Sequence, residues 1–274
     1  MRKTPSLTYW ALIVAVLLSL TPFYFMFIIA TRKLEVINAV PPPFLPGGDF
    51  GDNFGRVLDN EHAAFMYGLS NSIIVSSIIT ISVVFFSSLA GFAFAKLRFK
   101  GKNGMLLIII ATMMIPTQLG VIPLYDMMVN WFDLASDLKA VILPFLVSAF
   151  GVFMMRQYAA SAVSDELIEA ARVDGCTTFR IYWSVVLPAL RPAMGVLGLL
   201  TFMEQWNSFL WPYAILDADT PTVQVSLALL SSAYYTDYAQ VFAATAVATV
   251  PLLVVFVIFG RQIIGGIMEG AVKA

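Results

Sequence analysis

Residues 161–192 read SAVSDELIEAARVDGCTTFRIYWSVVLPALRP, a charged segment that separates two runs apolar enough to cross a membrane. Ser164 is a residue type that caps helix N-termini, because its hydroxyl accepts a hydrogen bond from the first turn. Asp165 and Glu166 follow it, where the positive end of the helix dipole favours acidic side chains. A short helix is therefore predicted to begin here, outside the membrane.

The same segment predicts a bend and a second helix. Gly175 suits a helix C-terminus because glycine tolerates a left-handed backbone. Thr177 or Thr178 can cap a second helix over 179–186, which should end near Pro188 because proline lacks the N–H that a helix needs. Taken alone, these residues also fit an amphipathic loop helix that merely packs on its own bundle.

The composition places the chain in a membrane. Hydrophobic residues make up 59% of the 274 residues, charged residues only 12%, and the mean hydropathy is +0.84, whereas soluble domains carry about 25% charged residues. The single cysteine, Cys176, excludes an intrachain disulfide and a thiol–metal cluster. The single histidine, His62, fits a surface loop, and no metal site is predicted. A net charge of −1 indicates no nucleic-acid partner.

Six apolar runs predict an all-α integral membrane protein with six spanning helices and one domain over residues 1–274, since a span needs about 20 apolar residues. The runs are Leu7–Ala30, Asn71–Ala95, Met105–Met128, Leu138–Ala160, Ala193–Leu216 and Val241–Ile264. The first run is too long for the apolar part of a signal peptide and is expected to be a retained span. Pro116 and Pro123 interrupt the third run, and Pro144 lies early in the fourth.

The basic residues predict the orientation. With the N-terminus in the cytoplasm, the inner segments hold twelve of the sixteen lysines and arginines: Arg2, Lys3, Lys96, Arg98, Lys100, Lys102, Arg156, Arg172, Arg180, Arg191, Arg261 and Lys273. This asymmetry satisfies the positive-inside rule. Both termini are therefore expected in the cytoplasm. Residues 31–70 then form a long outer loop, 161–191 an inner loop and 265–274 an inner tail. Within the outer loop, FGDNFGRVL is expected to form a short helix on the membrane face.

The inner loop carries a motif that identifies a family. Ala170 and Ala171 would let another surface approach the first helix, and the charged residues Glu169 and Arg172 lie beside them. The order E-A-A, three residues, G, nine residues and I-x-L-P resembles the signature of permease subunits of bacterial binding-protein-dependent ABC importers, with valine in place of isoleucine at Val185. The residues matching the motif or lying within it are Glu169, Ala170, Ala171, Asp174, Gly175, Leu187 and Pro188.

The resemblance covers nearly the whole chain and looks closest to the second permease of the carbohydrate-uptake class, similar to the smaller maltose-transporter permease. FMEQWNSFLWP is similar to a sugar-permease pattern, and GGIMEGAVKA is similar to a tail that reaches an ATPase interface. The resemblance implies that the inner loop is a coupling helix between spans 4 and 5, docked on a separate ATPase subunit. It also implies that the tail residues Gly270, Ala271, Val272 and Lys273 touch the ATPase pair.

Polar groups within the fifth run are candidates for the substrate pathway, because polar groups at that depth usually face a cavity or a partner. Helical spacing puts Glu204, Asn207 or Ser208, and Trp211 on one face, with Gln205 beside them. A carboxylate, an amide and an indole suit a sugar, which needs hydrogen-bond acceptors and a flat apolar surface. The same groups would also suit hydrogen bonds to a neighbouring helix or to a partner permease.

The last outer loop carries a cluster of tyrosines. In related permeases this loop probes the binding protein, so Tyr234, Tyr235 and Tyr238 are candidate contacts with that partner. Aromatic residues at this position would also fit an interfacial belt.

The chain lacks a nucleotide-binding P-loop and a recognisable catalytic motif. It is therefore expected to be a non-catalytic subunit with no cofactor of its own, while ATP and Mg²⁺ are held by a partner ATPase. The expected assembly in the bacterial plasma membrane contains a second permease, two ATPase subunits and an extracytoplasmic sugar-binding protein. The expected function is import of a di- or oligosaccharide by alternating access, with cellobiose-type sugars among the candidate substrates. Alternatives are an ABC permease for glycerol-phosphate-type or other small solutes, and a stand-alone secondary transporter.

Overall fold

The computed structural model describes residues 6–37, 43–231 and 236–272, with side chains described over 7–37, 43–231 and 236–260. These residues form an all-helical structure, as predicted. Its α-helices are α1 (Ser6–Ala30), α2 (Leu34–Ile37), α3 (Phe50–Leu58), α4 (Phe65–Lys96), α5 (Lys102–Thr112), α6 (Val121–Asp126), α7 (Leu138–Ile142), α8 (Ala149–Ala162), α9 (Asp165–Val173), α10 (Thr178–Ile181), α11 (Leu187–Trp206), α12 (Leu210–Ile215), α13 (Val223–Leu229) and α14 (Tyr238–Val272). Short 3₁₀ turns cover Thr117–Gly120 and Leu143–Phe145, and π turns cover Met127–Trp131 and Tyr182–Val186. Within the described ranges, five helical segments are long and apolar enough to cross a membrane, or six if one bent pair counts as a span.

The bent pair corresponds to the predicted third span, Met105–Met128, in which Pro116 and Pro123 were expected to interrupt the apolar run. Helix α5 and the helical stretch Thr117–Trp131 meet at an angle of 88°. The chain leaves helical geometry at Pro116, whose backbone is extended, because a proline inside a helix loses a hydrogen bond and clashes with the preceding turn. Pro144 has a milder effect in the fourth span, where a 3₁₀ turn links α7 to α8.

Helix α4 begins at Phe65, six residues before the predicted start at Asn71, so the outer loop is shorter than the predicted 31–70. The added turns are held by tertiary contacts that hydropathy does not report. Phe65 is buried, and Gly68 lies so close to α13 that a Cβ there would fall 2.1 Å from the hydroxyl oxygen of Ser226.

The second helix of the inner loop does not end near Pro188. Helix α10, the π turn Tyr182–Val186 and α11 instead form one helical segment from Thr178 to Trp206. Pro188 lies in the first turn of α11, directly after the π turn. The wider i→i+5 spacing of that turn accommodates the missing N–H of proline, so the segment continues through it.

Helix α4 lies at the centre of the bundle, packed against α8 and α11. Ile79, Met155 and Leu197, one from each of these helices, are fully buried in the main core. Gly91 allows α4 and α8 to touch through their backbones, since a Cβ at this position would lie 2.7 Å from the carbonyl carbon of Met155. A single methyl group would therefore force these two helices apart.

Helix α3, which covers FGDNFGRVL as predicted, ties together the ends of α1 and α14. The buried Asn53 amide donates hydrogen bonds to the carbonyls of Ala30 and Arg32, both at 2.9 Å, and so closes the C-terminus of α1. Arg56 forms an ion pair with Asp237, which precedes α14 and accepts a hydrogen bond from the Gln240 N–H. The remainder of α1 is mostly uncovered, since only 6% of its apolar span is buried.

Candidate functional site

The inner loop folds as its capping residues predict. The Ser164 hydroxyl accepts a hydrogen bond from the Leu167 N–H at 3.4 Å, and the Thr177 hydroxyl accepts one from the Arg180 N–H at 3.3 Å. Between α9 and α10, Gly175 has a φ of +78°, the left-handed conformation that favours glycine. The predicted helix, bend and second helix start are confirmed.

Helix α9 has two apolar faces. Ile168 is its only buried residue and joins the main core, with Ala171 packed beside it. Outside that face, Leu167 is 54% and Val173 88% exposed, and Ala170 is exposed between them. The two alanines of the motif thus point to different partners: Ala171 packs on the chain's own bundle, and Ala170 belongs to an uncovered apolar face. This outward face consists of Leu167, Ala170 and Val173.

Charged side chains surround the outward face. Glu169, Arg172 and Asp174 are all exposed and form no ion pair with any residue whose side chain is described. Leu187 packs against the core, and Pro188 is exposed in the first turn of α11. The motif therefore combines an anchored side with a free charged and apolar side, which is the arrangement that a docking helix needs.

One ion pair links α9 to the bundle. The Lys96 ammonium, at the end of α4, donates a hydrogen bond to the Asp165 carboxylate at 2.8 Å. This hydrogen bond, with the nearby positive charge of Lys96, lowers the pKa of Asp165. The pKa of Glu166 is also lowered, chiefly by the hydrogen bond from its own backbone N–H and then by the Ser164 hydroxyl. Both carboxylates therefore stay ionised at neutral pH.

A cavity of about 460 Å³ lies between the bent third span and the fifth span. Glu204, Gln205 and Ser208 line it from the fifth span, and Thr117 and Gln118 line it from the third. Sequence reasoning missed the last two, although their position beside Pro116 in an otherwise apolar run was a usable signal. The cavity wall thus offers carboxylate, amide and hydroxyl groups, and among the side chains that the structure describes no lysine or arginine lines it.

The end of α11 decides which predicted residues reach this cavity. The helix stops at Trp206, and three residues separate it from α12, so continuous helical spacing does not hold. Asn207 does not line the cavity, and its amide donates to the Met203 carbonyl of its own helix at 2.8 Å. Trp211 does line it, and the indole N–H is used in the core, where it donates to the Ala140 carbonyl at 3.2 Å.

The remaining predicted contacts lie at the two ends of α14. Tyr238 begins this helix and is 51% exposed, while Tyr234 and Tyr235 lie outside the described residues. At the other end, the backbone of Gly270, Ala271 and Val272 continues α14, and Lys273 lies outside the described residues. The preceding outer helix, α13, is fixed to α4 by a hydrogen bond from the Val223 N–H to the Ser72 hydroxyl at 2.8 Å.

Comparison with known proteins gives consistent matches over almost the whole chain. Residues 83–265 match the family described as binding-protein-dependent transport system inner membrane component. The chain is 31% identical to the arabinooligosaccharides transport system permease protein AraQ of Halalkalibacterium halodurans, covering 99% of both chains. It is 32% identical to the lactose transport system permease protein LacG of Rhizobium radiobacter, over 99% of this chain and 98% of that one.

Two further matches broaden the comparison. The chain is 30% identical to the sn-glycerol-3-phosphate transport system permease protein UgpE of Yersinia enterocolitica, over 94% of both chains. Its fold matches a chain of a crystal structure described as a bacterial ABC transporter involved in the import of the acidic polysaccharide alginate. That match has a TM-score of 0.77 and 24% identity, over 95% of this chain and 99% of that one.

Proposed function

The chain belongs to the family of binding-protein-dependent transport system inner membrane components, and on that premise we propose that it is the permease subunit of an ATP-driven importer for a di- or oligosaccharide. Several of its similar relatives are sugar-transport permeases. The sugar would arrive from an extracytoplasmic binding protein and enter the cytoplasm by alternating access. This chain forms part of the membrane path and carries no catalytic step.

The observation that carries the substrate class is the lining of the cavity between the third and fifth spans. Glu204, Gln205, Ser208 and Gln118 supply acceptors and donors for hydroxyl groups. The Trp211 ring supplies an apolar surface for the C–H side of a sugar. A phosphate ester would instead call for arginine or lysine, and the Glu204 carboxylate would repel it. The cavity therefore favours a neutral sugar over the glycerol phosphate transported by one group of relatives.

The outward face of α9 supports the proposed coupling to ATP. Val173 and Leu167 expose apolar side chains on an otherwise charged loop, and such a surface gains free energy when a partner covers it. The proposed partner is a separate ATPase subunit, which holds ATP and Mg²⁺. Ile168, on the inner face of the same helix, anchors α9 in the main core. Movement of the ATPase can thus reach the spanning helices through a short, well-packed route.

The proposed assembly contains this chain, a second permease, two ATPase subunits and the binding protein. Both termini of this chain lie in the cytoplasm, as the distribution of basic residues indicates. The second permease closes the cavity on its open side, and the sugar passes between the two subunits.

The test is an uptake assay with the complete transporter in vesicles, comparing labelled disaccharides with labelled sn-glycerol-3-phosphate. We expect ATP-dependent uptake of a disaccharide in the presence of its binding protein. Glu204→Gln should lower uptake, whereas Asn207→Ala, a change on the same span outside the cavity, should preserve it. Uptake of sn-glycerol-3-phosphate alone would overturn the sugar assignment. Uptake driven by an ion gradient without an ATPase would overturn the importer assignment.

A further inference from the structure

A second cavity, of about 730 Å³, lies between α4, α11 and α14. One stripe of the Thr178–Trp206 segment forms its length: Trp183, Leu187, Arg191, Gly195, Gly198 and Phe202. Thr80 and Val84 of α4 face this stripe from one side, and Val255 and Phe259 of α14 from the other. We call this cavity the α4–α14 groove. It shares no lining residue with the cavity that contains Glu204.

The groove is apolar along most of its length and charged at one end. Arg191 lies one or two turns into α11, on the side that the basic residues place in the cytoplasm. It is exposed, and no carboxylate among the described side chains lies within ion-pair distance of it. Trp183 is 54% exposed two turns before Arg191, where an indole suits a membrane–water interface. The groove thus has an interfacial end, with a cation that pairs with no described carboxylate, and a mostly apolar interior.

The interior has the shape of a channel for a slender chain. Gly195 and Gly198 carry no side chain, so α11 leaves open space between the side chains contributed by α4 and those contributed by α14. A Cβ at Gly198 would lie 3.6 Å from the methyl groups of Thr80 and Val84, so a methyl group fits there and a larger side chain would enter the groove. Gly198 lies seven residues beyond Arg191, which is about 10 Å along the helix.

We propose that the α4–α14 groove binds one anionic phospholipid of the cytoplasmic leaflet, with its phosphate on Arg191 and one acyl chain along Gly195 and Gly198. Basic pockets between spanning helices on the cytoplasmic side are suited to such headgroups. Acyl chains alone give no preference for this place, because the surrounding lipid is equally apolar. Selectivity therefore comes from the headgroup charge, and Arg191 is the residue that reads it. The proposal depends on the orientation of the chain and not on the transported solute.

A spanning helix of a partner protein is a weaker occupant for the same groove. Such a helix would have to bring a carboxylate to Arg191 at the membrane interface, or leave the guanidinium without a counter-ion. The phosphodiester of a lipid headgroup supplies the negative charge that Arg191 needs, with no carboxylate required from a protein. Its oxygens also match the paired N–H donors of the arginine side chain.

The experiment uses the full chain, purified with its partner subunits in a mild detergent and transferred to nanodiscs of equal phosphatidylglycerol and phosphatidylethanolamine. Native mass spectrometry then measures the ratio of the two lipids bound to the released protein. We expect enrichment of phosphatidylglycerol in the native protein. Arg191→Gln should lower that enrichment about fivefold, which corresponds to the roughly 1 kcal/mol contributed by one basic side chain at a membrane surface. Arg191→Lys should retain most of it.

Two further variants separate the groove from general charge effects. Arg180→Gln removes an exposed arginine of α10 that does not line the groove, and the lipid ratio should stay unchanged. Gly198→Leu fills the groove and should lower the amount of bound phosphatidylglycerol while Arg191 is still present. Equal lipid ratios in native protein and Arg191→Gln, or an equal fall in Arg180→Gln, would overturn the proposal. A cross-link from Gly195→Cys to a partner helix in a Cys176→Ser background would overturn it as well, because protein would then fill the groove.

Discussion

The Lys96 ammonium and the Asp165 carboxylate lie 2.8 Å apart and join the end of α4 to the first turn of α9. The lysine side chain is only 8% exposed, whereas the aspartate is 78% exposed. The central helix of the bundle therefore holds the proposed docking helix by a contact at the end of α4.

Replacing Lys96 by glutamine should loosen α9 without unfolding the protein. Ion pairs with an exposed partner are weak, so we expect about a twofold rise in hydrogen exchange of the α9 amides. The pKa of Asp165 is lowered in the folded protein, so the pair contributes fully above the unfolded pKa of about 3.9, and this contribution is lost as the pH falls through the lower folded pKa. The ratio of α9 exchange in Lys96→Gln to that in native protein should therefore stay constant between about pH 5 and 7. An equal rise in Lys100→Gln, which removes an unpaired neighbour, would contradict this account.

Gly175→Val should impair coupling and leave membrane insertion intact. A β-branched residue at a φ of +78° is strained, at a cost of about 1–3 kcal/mol, and the bend between α9 and α10 should shift to relieve it. We expect ATP hydrolysis per imported sugar to rise severalfold in reconstituted transporter. Gly104→Ala, in the first turn of α5 with open space around it, is the control and should behave like native protein. A normal ratio in Gly175→Val would show that the bend does not matter for coupling.

Val173→Asp should weaken retention of the ATPase during purification. This side chain is 88% exposed on the outward face, so its loss affects the chain's own packing little. Burying an unpaired carboxylate against a partner is unfavourable, and we expect at least a tenfold loss of co-purified ATPase. Leu45→Asp introduces the same charge at a residue 69% exposed in the outer segment and should leave the yield unchanged. Full recovery of the ATPase with Val173→Asp would exclude this face as its binding surface.

Gly91→Ala should destabilise the bundle. The added Cβ would lie 2.7 Å from the Met155 carbonyl carbon and 2.8 Å from the Arg156 nitrogen, and backbone atoms cannot move aside cheaply. Overpacking of this kind costs about 1–3 kcal/mol, seen as a lower thermal midpoint in detergent. Gly51→Ala, in α3 with nothing within 4 Å of the added methyl, should leave the midpoint nearly unchanged. Equal midpoints for both variants would mean that α4 and α8 are less tightly packed than described.

The sequence predicted well those features that depend on neighbouring residues. Ser164 caps α9 and Gly175 forms the bend because each needs only local backbone chemistry. Apolar runs located the spans because bilayer thickness fixes their length. The predicted start of the second span at Asn71 was wrong, since α4 begins at Phe65, and the end of α11 at Trp206 was not predicted. Contacts with distant segments determine both positions.

The candidate cavity shows the same division. Glu204 and Gln205 stand out in sequence because polar groups are rare at that depth. Thr117 and Gln118 join them only because the third span bends by 88°. The proline marked a break, but the angle depends on packing against the fourth and fifth spans, which a linear pattern does not contain.

The π turn Tyr182–Val186 carries one residue more than the regular helix that it interrupts. Along a regular helix, gaining or losing one residue rotates everything beyond it by about 100°. Here a shortening by one residue can be absorbed by tightening the turn, so that Arg191 and Glu204 keep their facing directions. The helical segment between the inner loop and the cavity can therefore lose one residue at this turn. The side chains of the fifth span would still face the same directions.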